Sequence, residues 1–259
     1  MTPEDAAMMA EMQAEMAAIS AKSSDSRFDT YEKKVVATTS TPSADGTDSS
    51  NSNTVEFLRG NPEDPALNQY WYSQPSVEAI ASEVSRLINL NGPSFTVAFL
   101  STPSIYFALP EEQRKQCWVF DYDDKWADDR GFVHYDFNTP DTFVKKTGDE
   151  EGEFGENLKG SFSLAVIDPP FITVEVWRQY ASTATSLLST SPLSPSPSSG
   201  LIIGTTVAEN KPFMRTLLKC TPQKFKPSIP NLVYQYNSYA NFEGAVFLGV
   251  VNPEIPVDE

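Results

Sequence analysis

Hydrophobic and polar positions along this chain alternate between two periods. Val77, Ile80, Ala81, Val84, Leu87 and Ile88 recur at helical spacing and predict an amphipathic helix. Pro75 and Ser76 open it, with Ser76 as N-cap, and Asn91-Gly92-Pro93 stops it. Short apolar runs follow at 95–100, 118–121, 132–135, 163–167 and 201–204, each bounded by turn residues and each read as a strand. Between them the pattern turns helical over 105–116, 175–188 and 212–219, the last with Asn210 as its cap. The C-terminal part reads as two further strands, 224–226 and 245–251, separated by an aromatic loop over 231–239. Short apolar strands alternating with helices predict an α/β fold with a doubly wound parallel sheet, ended by an antiparallel pair.

The N-terminal segment breaks this pattern. Residues 4–19 are rich in Ala, Met and Glu and predict an isolated helix with a methionine stripe at 8, 9, 12 and 16. Residues 40–53 are Ser, Thr, Asp, Asn and Gly, the composition of a disordered linker. The expected organisation is a tail over 1–53 and one folded domain over 54–259. Two insertions, the acidic, glycine-rich 145–160 and the Ser/Pro-rich 189–200, read as surface loops.

Charge and cysteine usage narrow the chemistry. The formal net charge is −16, with 35 acidic against 19 basic residues. Such a field repels phosphate backbones and favours approach of a basic protein, with plain solubility as the equal alternative reading of the charge. Cys117 and Cys220 are far apart and in no metal-ligand spacing, so neither a zinc site nor a disulfide framework is expected. His134 is the sole histidine, which leaves a histidine-based nucleophilic mechanism without partner motifs. No run is apolar enough to span a bilayer, and the start lacks signal-peptide features; the expectation is a cytoplasmic protein with no membrane partner.

The candidate chemistry sits at strand ends. Asp168-Pro169-Pro170-Phe171 follows the strand at 163–167, where open α/β sheets hold their ligands. The prolines stiffen the turn and remove two N–H groups. The Asp168 carboxylate and the carbonyls of the turn then remain as acceptors for an amine, and Phe171 offers an apolar wall. A nucleoside-bearing cofactor lies over such strand ends. Asp121 can accept from both ribose hydroxyls, Asp136 can accept from an adenine amine, and Phe137 can pack on the ring. For either aspartate, plain turn capping is the alternative.

Strand-Asp-Pro-Pro-Phe resembles the [Asp/Asn]-Pro-Pro-aromatic signature of amino-methyltransferases that use S-adenosylmethionine. The turn after the first strand has no glycine: it reads Ser101-Thr102-Pro103-Ser104, and Ser101, Thr102 and Ser104 offer hydroxyls to the cofactor instead. Together with Gln69-Tyr70-Trp71-Tyr72-Ser73-Gln74, Phe120-Asp121-Tyr122-Asp123 and Tyr135-Asp136-Phe137-Asn138, this departure is similar to the eukaryotic lysine methyltransferases of translation elongation factor 1-alpha, once described as adenine-specific DNA methyltransferases. The resemblance runs from about residue 57 to about residue 247, the insertions apart. It implies a seven-stranded class I methyltransferase (Rossmann-like) sheet with an antiparallel last strand, S-adenosylmethionine as donor without a metal, and a lysine ε-amine as acceptor. Tyr70, Trp71 and Tyr72 are then expected to wall the substrate channel, and Asp168 and the Pro169 carbonyl to orient the amine after its proton leaves to water. Asp168 is a less favoured general base, because an ordinary carboxylate has a pKa near 4. Two alternatives stay open: an adenine-amine methyltransferase on nucleic acid, and an inert interaction module on the same fold.

Overall fold

A computed structural model describes residues 49–140, 142–147, 150–153, 158–189 and 200–255. The helix expected over 4–19, most of the linker and the greater part of the 189–200 insertion lie outside these residues. The described chain runs α1 (Ser49–Gly60), α2 (Gln74–Asn91), β1 (Val97–Leu100), α3 (Pro103–Ala108), α4 (Glu111–Arg114), β2 (Cys117–Asp121), β3 (Phe132–Tyr135), β4 (Phe143–Thr147), β5 (Glu150–Glu153), β6 (Leu164–Ile167), α5 (Val174–Leu187), β7 (Leu201–Val207), α6 (Lys211–Leu218), β8 (Thr221–Pro222), β9 (Tyr236–Ala240) and α7 (Ala245–Gly249).

The strands form one nine-stranded sheet in the order β5-β4-β3-β2-β1-β6-β7-β9-β8. β3, β2, β1, β6 and β7 run parallel. β9 lies antiparallel between β7 and β8. These seven match the expected sheet, and the antiparallel hairpin β4–β5 adds two strands at the β3 edge. The hairpin corrects the reading of 145–160 as loop throughout; its acidic, glycine-bearing strand carries no apolar signal.

The sheet is covered on both faces because its strands are apolar on both. In β1, Val97 and Phe99 join one core with α2, while Ala98 and Leu100 join the other with α5. The six apolar positions predicted for α2 are all buried. Ser73 rather than Ser76 stands at its N-cap. Ser76 is buried one turn in, and its hydroxyl accepts from the Ser228 N–H at 2.8 Å.

Three elements differ from the sequence pattern. Helix α1 crosses the boundary expected near residue 54, and Phe57 packs at ring distances of 5.2 to 5.6 Å on Trp71, Phe107 and Trp126. The last strand is β9, inside the stretch read as an aromatic loop: its Asn and Ser mask a strand whose Tyr236 and Tyr239 enter opposite cores. The run 245–251, read as a strand, instead begins with helix α7, where the buried Glu83 carboxylate accepts from the Val246 N–H at 2.7 Å. A short apolar run cannot be assigned to strand or helix by periodicity alone. Around 224–226 there is no strand; the pairing residues are Thr221–Pro222, and Phe225 is buried against Phe247.

Candidate active site

The carboxyl ends of β1, β2, β3 and β6 open on one cavity of about 350 Å³. That volume is within the usual range for a small-molecule site, about 300–1,000 Å³. Ser101, Asp121, Asp136, Phe137, Tyr70, Trp71, Asp168, Pro169, Pro170 and Phe171 all line it, so one space gathers most of the residues singled out by sequence. Thr102, Ser104 and Tyr72 do not line it. Thr102 and Ser104 are buried at the start of α3, with the Thr102 hydroxyl 3.4 Å from the Val166 carbonyl. Tyr72 is buried behind the wall that Tyr70 and Trp71 form.

The β1 turn works without glycine because Ser101 itself takes the left-handed backbone, with φ of 54°. Non-glycine residues adopt it at a cost, and it recurs at functional turns. The strain is held in place by the Ser101 N–H donating to the Phe120 carbonyl at 2.8 Å and by a 2.6 Å hydrogen bond between the Ser101 and Tyr180 hydroxyls. Tyr180, nearly two turns into α5, also lines the cavity. Nothing in the linear pattern separates it from an ordinary core tyrosine.

Asp121 ends β2 with 6% of its surface exposed. Its Oδ1 accepts from the Asp123 N–H at 2.9 Å. Burial pushes its carboxyl up to about 7 against the pull of the Asp123 and Tyr122 amides. Exposed Tyr122 stands beside it on the cavity rim. Asp136 closes a tight turn: its Oδ1 accepts from the Asn138 N–H at 2.9 Å and the Asn138 side chain at 2.8 Å. It is thus a turn cap and a cavity residue at once. Phe137 packs edge-on against Phe171 at 6.2 Å, joining the two ends of the cavity.

Asp168 is partly exposed to the cavity, and its N–H donates to the Leu100 carbonyl at 3.2 Å. Burial pushes its carboxyl up to about 7, while hydrogen bonds from the Tyr72 and Thr205 hydroxyls pull the other way. The ordinary value near 4, assumed from the sequence, does not apply in this pocket. Leu232, Tyr234 and Tyr236 complete the far wall, so the aromatic segment at 231–239 serves both the sheet and the cavity. Glu63 ties the walls together: one oxygen accepts from the Trp71 N–H at 2.9 Å, the other from the Asn231 side chain at 2.7 Å.

Among the described residues the lining holds four carboxylates, Asp121, Asp123, Asp136 and Asp168, and no Lys, Arg or His. Lys125 is nearby, but Asp123 pairs it at 2.8 Å and the Trp126 ring lies 4.4 Å away. Among the described residues no cluster suits a metal ion, and no helix is long and apolar enough to cross a membrane.

The sequence is similar to those of known proteins. The chain is 26% identical over 188 residues to human EEF1A lysine methyltransferase 1, covering 71% of this chain and 77% of that protein. It is 29% identical over 185 residues to the Drosophila melanogaster protein-lysine N-methyltransferase CG9154, covering 70% and 76%. It is 25% identical over 206 residues to the Saccharomyces cerevisiae protein-lysine N-methyltransferase EFM5, covering 70% and 73%. The family model described as "Probable N6-adenine methyltransferase" matches residues 63–244, a span that contains every strand-end turn of the cavity, and the chain belongs to that family.

Proposed function

We propose that this protein is an S-adenosylmethionine-dependent protein-lysine N-methyltransferase, with translation elongation factor 1-alpha as its substrate. The observation that carries the reading is the lining of the cavity, which among the described residues has four aspartates, aromatic walls and no cation. A lysine side chain is a cation on an apolar stem and suits that lining. A polynucleotide would bring phosphates to a site and a chain that offer them repulsion. The relatives named as lysine methyltransferases support the same acceptor. A cytoplasmic place of action fits two free, buried thiols.

The residues fit the donor. Buried Asp121 presents a carboxylate to a ribose diol, the Asp136 turn faces an adenine edge, and Phe137 and Tyr122 offer flat surfaces. S-adenosylmethionine, when bound, supplies an electrophilic methyl group on a sulfonium. The rest falls to the chain. Asp168 and the Pro169 carbonyl accept the amine's hydrogens and aim its lone pair. Pro170, Phe171, Tyr70 and Trp71 exclude water around it. The amine must be neutral, and free lysine has a pKa of about 10.4. With its carboxyl raised to about 7, Asp168 can hold the lysine's proton on its own oxygen. A raised carboxyl makes that transfer less costly than it is for an ordinary carboxylate near 4. Positioning contributes further, up to about 7–11 kcal/mol in favourable cases.

The test is to incubate the protein with labelled donor and purified elongation factor 1-alpha and to locate the label by mass spectrometry. The expected result is label on a lysine, lost in Asp168→Ala. An unlabelled factor together with labelled adenine in DNA would replace this reading by the adenine-amine alternative.

A further inference from the structure

Tyr72 lies beside the cavity without lining it, and its surroundings give it another task. Its ring is 3% exposed, and its hydroxyl lies 2.5 Å from the hydroxyl of Thr205, which is also 3% exposed. Ile167 of β6 pairs with Gly204 of β7, so Asp168 and Thr205 follow side by side at the strand ends, and the two hydroxyls hold the Asp168 carboxyl down against its burial. Thr205 sits in β7 among Ile202, Ile203 and Val207, where a valine would fill the same space without a polar group to satisfy. We propose that Tyr72 and Thr205 are positioning residues for Asp168, two buried hydroxyls that fix its carboxylate and leave its remaining lone pairs turned to the acceptor amine. This rests on the lysine methyltransferase reading above.

Other groups do not take over this role. Tyr236 of β9 and Tyr180 of α5 face Asp168, and burial pushes both phenols upward, so they stay neutral through the working range. The Tyr72 phenol is likewise pushed well up, by burial first and then by the Asp168 charge. Asp121 shares the cavity and titrates near Asp168, but it is untouched by changes at 72 and 205. Hydroxyl donors favour the ionised carboxylate, so removing them raises the Asp168 carboxyl further.

The experiment compares wild type with Tyr72→Phe, Thr205→Val and Thr205→Ser, using the full chain. The first readout is the infrared carboxyl band of Asp168, identified by its absence in Asp168→Asn, followed against pH without substrate. The midpoint should rise by about one pH unit in Tyr72→Phe and Thr205→Val and stay at the wild-type value in Thr205→Ser. The second readout is the pH profile of methyl transfer. A midpoint moved from 7 to about 8 lowers the ionised fraction about fivefold at pH 7 and hardly at all at pH 9, so activity should follow. Unmoved midpoints in folded variants, with activity falling equally at every pH, would overturn the proposal. A wild type that transfers no methyl to lysine would refute the functional reading alone, since the infrared titration still decides the role of the two hydroxyls.

Discussion

Replacing Asp121 by Asn should make the protein more stable and less able to bind its donor, both in a pH-dependent way. Folded Asp121 has its carboxyl pushed from 3.8 up to about 7, chiefly by burial. The folded chain therefore holds this proton about three pH units more tightly than the unfolded chain. Below pH 3.8 the group is protonated in both states and its contribution is fully favourable. That contribution is lost as pH rises through 7, and above 7 the charge opposes folding by about 4 kcal/mol, at 1.36 kcal/mol per unit. Asn keeps the shape and an oxygen for the Asp123 N–H, 2.9 Å away in the wild type, but never ionises. Chemical denaturation at pH 8 should show Asp121→Asn more stable by up to about 4 kcal/mol, a gain that shrinks to nothing near pH 4. For a domain of this size that is roughly 2–4 °C of melting temperature per kcal/mol. Donor affinity, measured by isothermal titration at pH 8, should fall about thirtyfold, because two hydrogen bonds to a charged acceptor become neutral ones at about 1 kcal/mol each. Equal stability of wild type and variant at pH 8, or a difference that does not change with pH, would show that Asp121 is not a desolvated carboxylate. A site that costs stability in order to hold a charge is common where function demands it.

Asp168→Ala should abolish methyl transfer while changing donor affinity much less than a change at Asp121 does, since the two acids end different strands of one cavity; titration calorimetry and a transfer assay separate the effects. Phe171→Ala should lose transfer by admitting water and by removing the contact with Phe137 at 6.2 Å, whereas Phe171→Tyr should stay active. Deleting residues 1–48 should leave the melting temperature nearly unchanged. Phe57→Ala should lower stability by about 3–5 kcal/mol in denaturant titration, because a ring packed on three aromatic neighbours is lost.

Much of this site is legible in the sequence, because its acids fall directly after buried strands. Asp121, Asp136 and Asp168 each follow a run apolar on both faces, and such runs are the clearest signal a parallel sheet gives. The parallel order and the antiparallel last strand follow from that alternation and from the family resemblance. What was hidden depends on contacts far apart in sequence. Tyr72 sits next to two cavity residues, yet it turns inward to Thr205, 133 positions away. Tyr180 acquires its place by meeting Ser101 across 79 positions. The raised carboxyls of Asp121 and Asp168 come from burial under elements brought over them, among them the segment ahead of α2. Tyr236–Ala240 has a loop-like pattern because it carries Asn and Ser, and Ser238 finds its partner in another segment, donating to the Phe225 carbonyl. Helix α1 carries too few apolar residues to stand out, and Phe57 shows its value only once Trp71 and Trp126 surround it.

Among the described residues the cavity is lined by four aspartates and no cation, a surface that suits a lysine amine. The most direct measurement offers both acceptors at once. Wild-type protein is given labelled methyl donor, a lysine-rich basic protein and adenine-bearing duplex DNA in one reaction at moderate salt, and the hydrolysate is separated into methylated amino acids and methylated bases. Label is expected in methyl-lysine and not in N6-methyladenine; label in N6-methyladenine with lysine untouched would refute lysine as the acceptor.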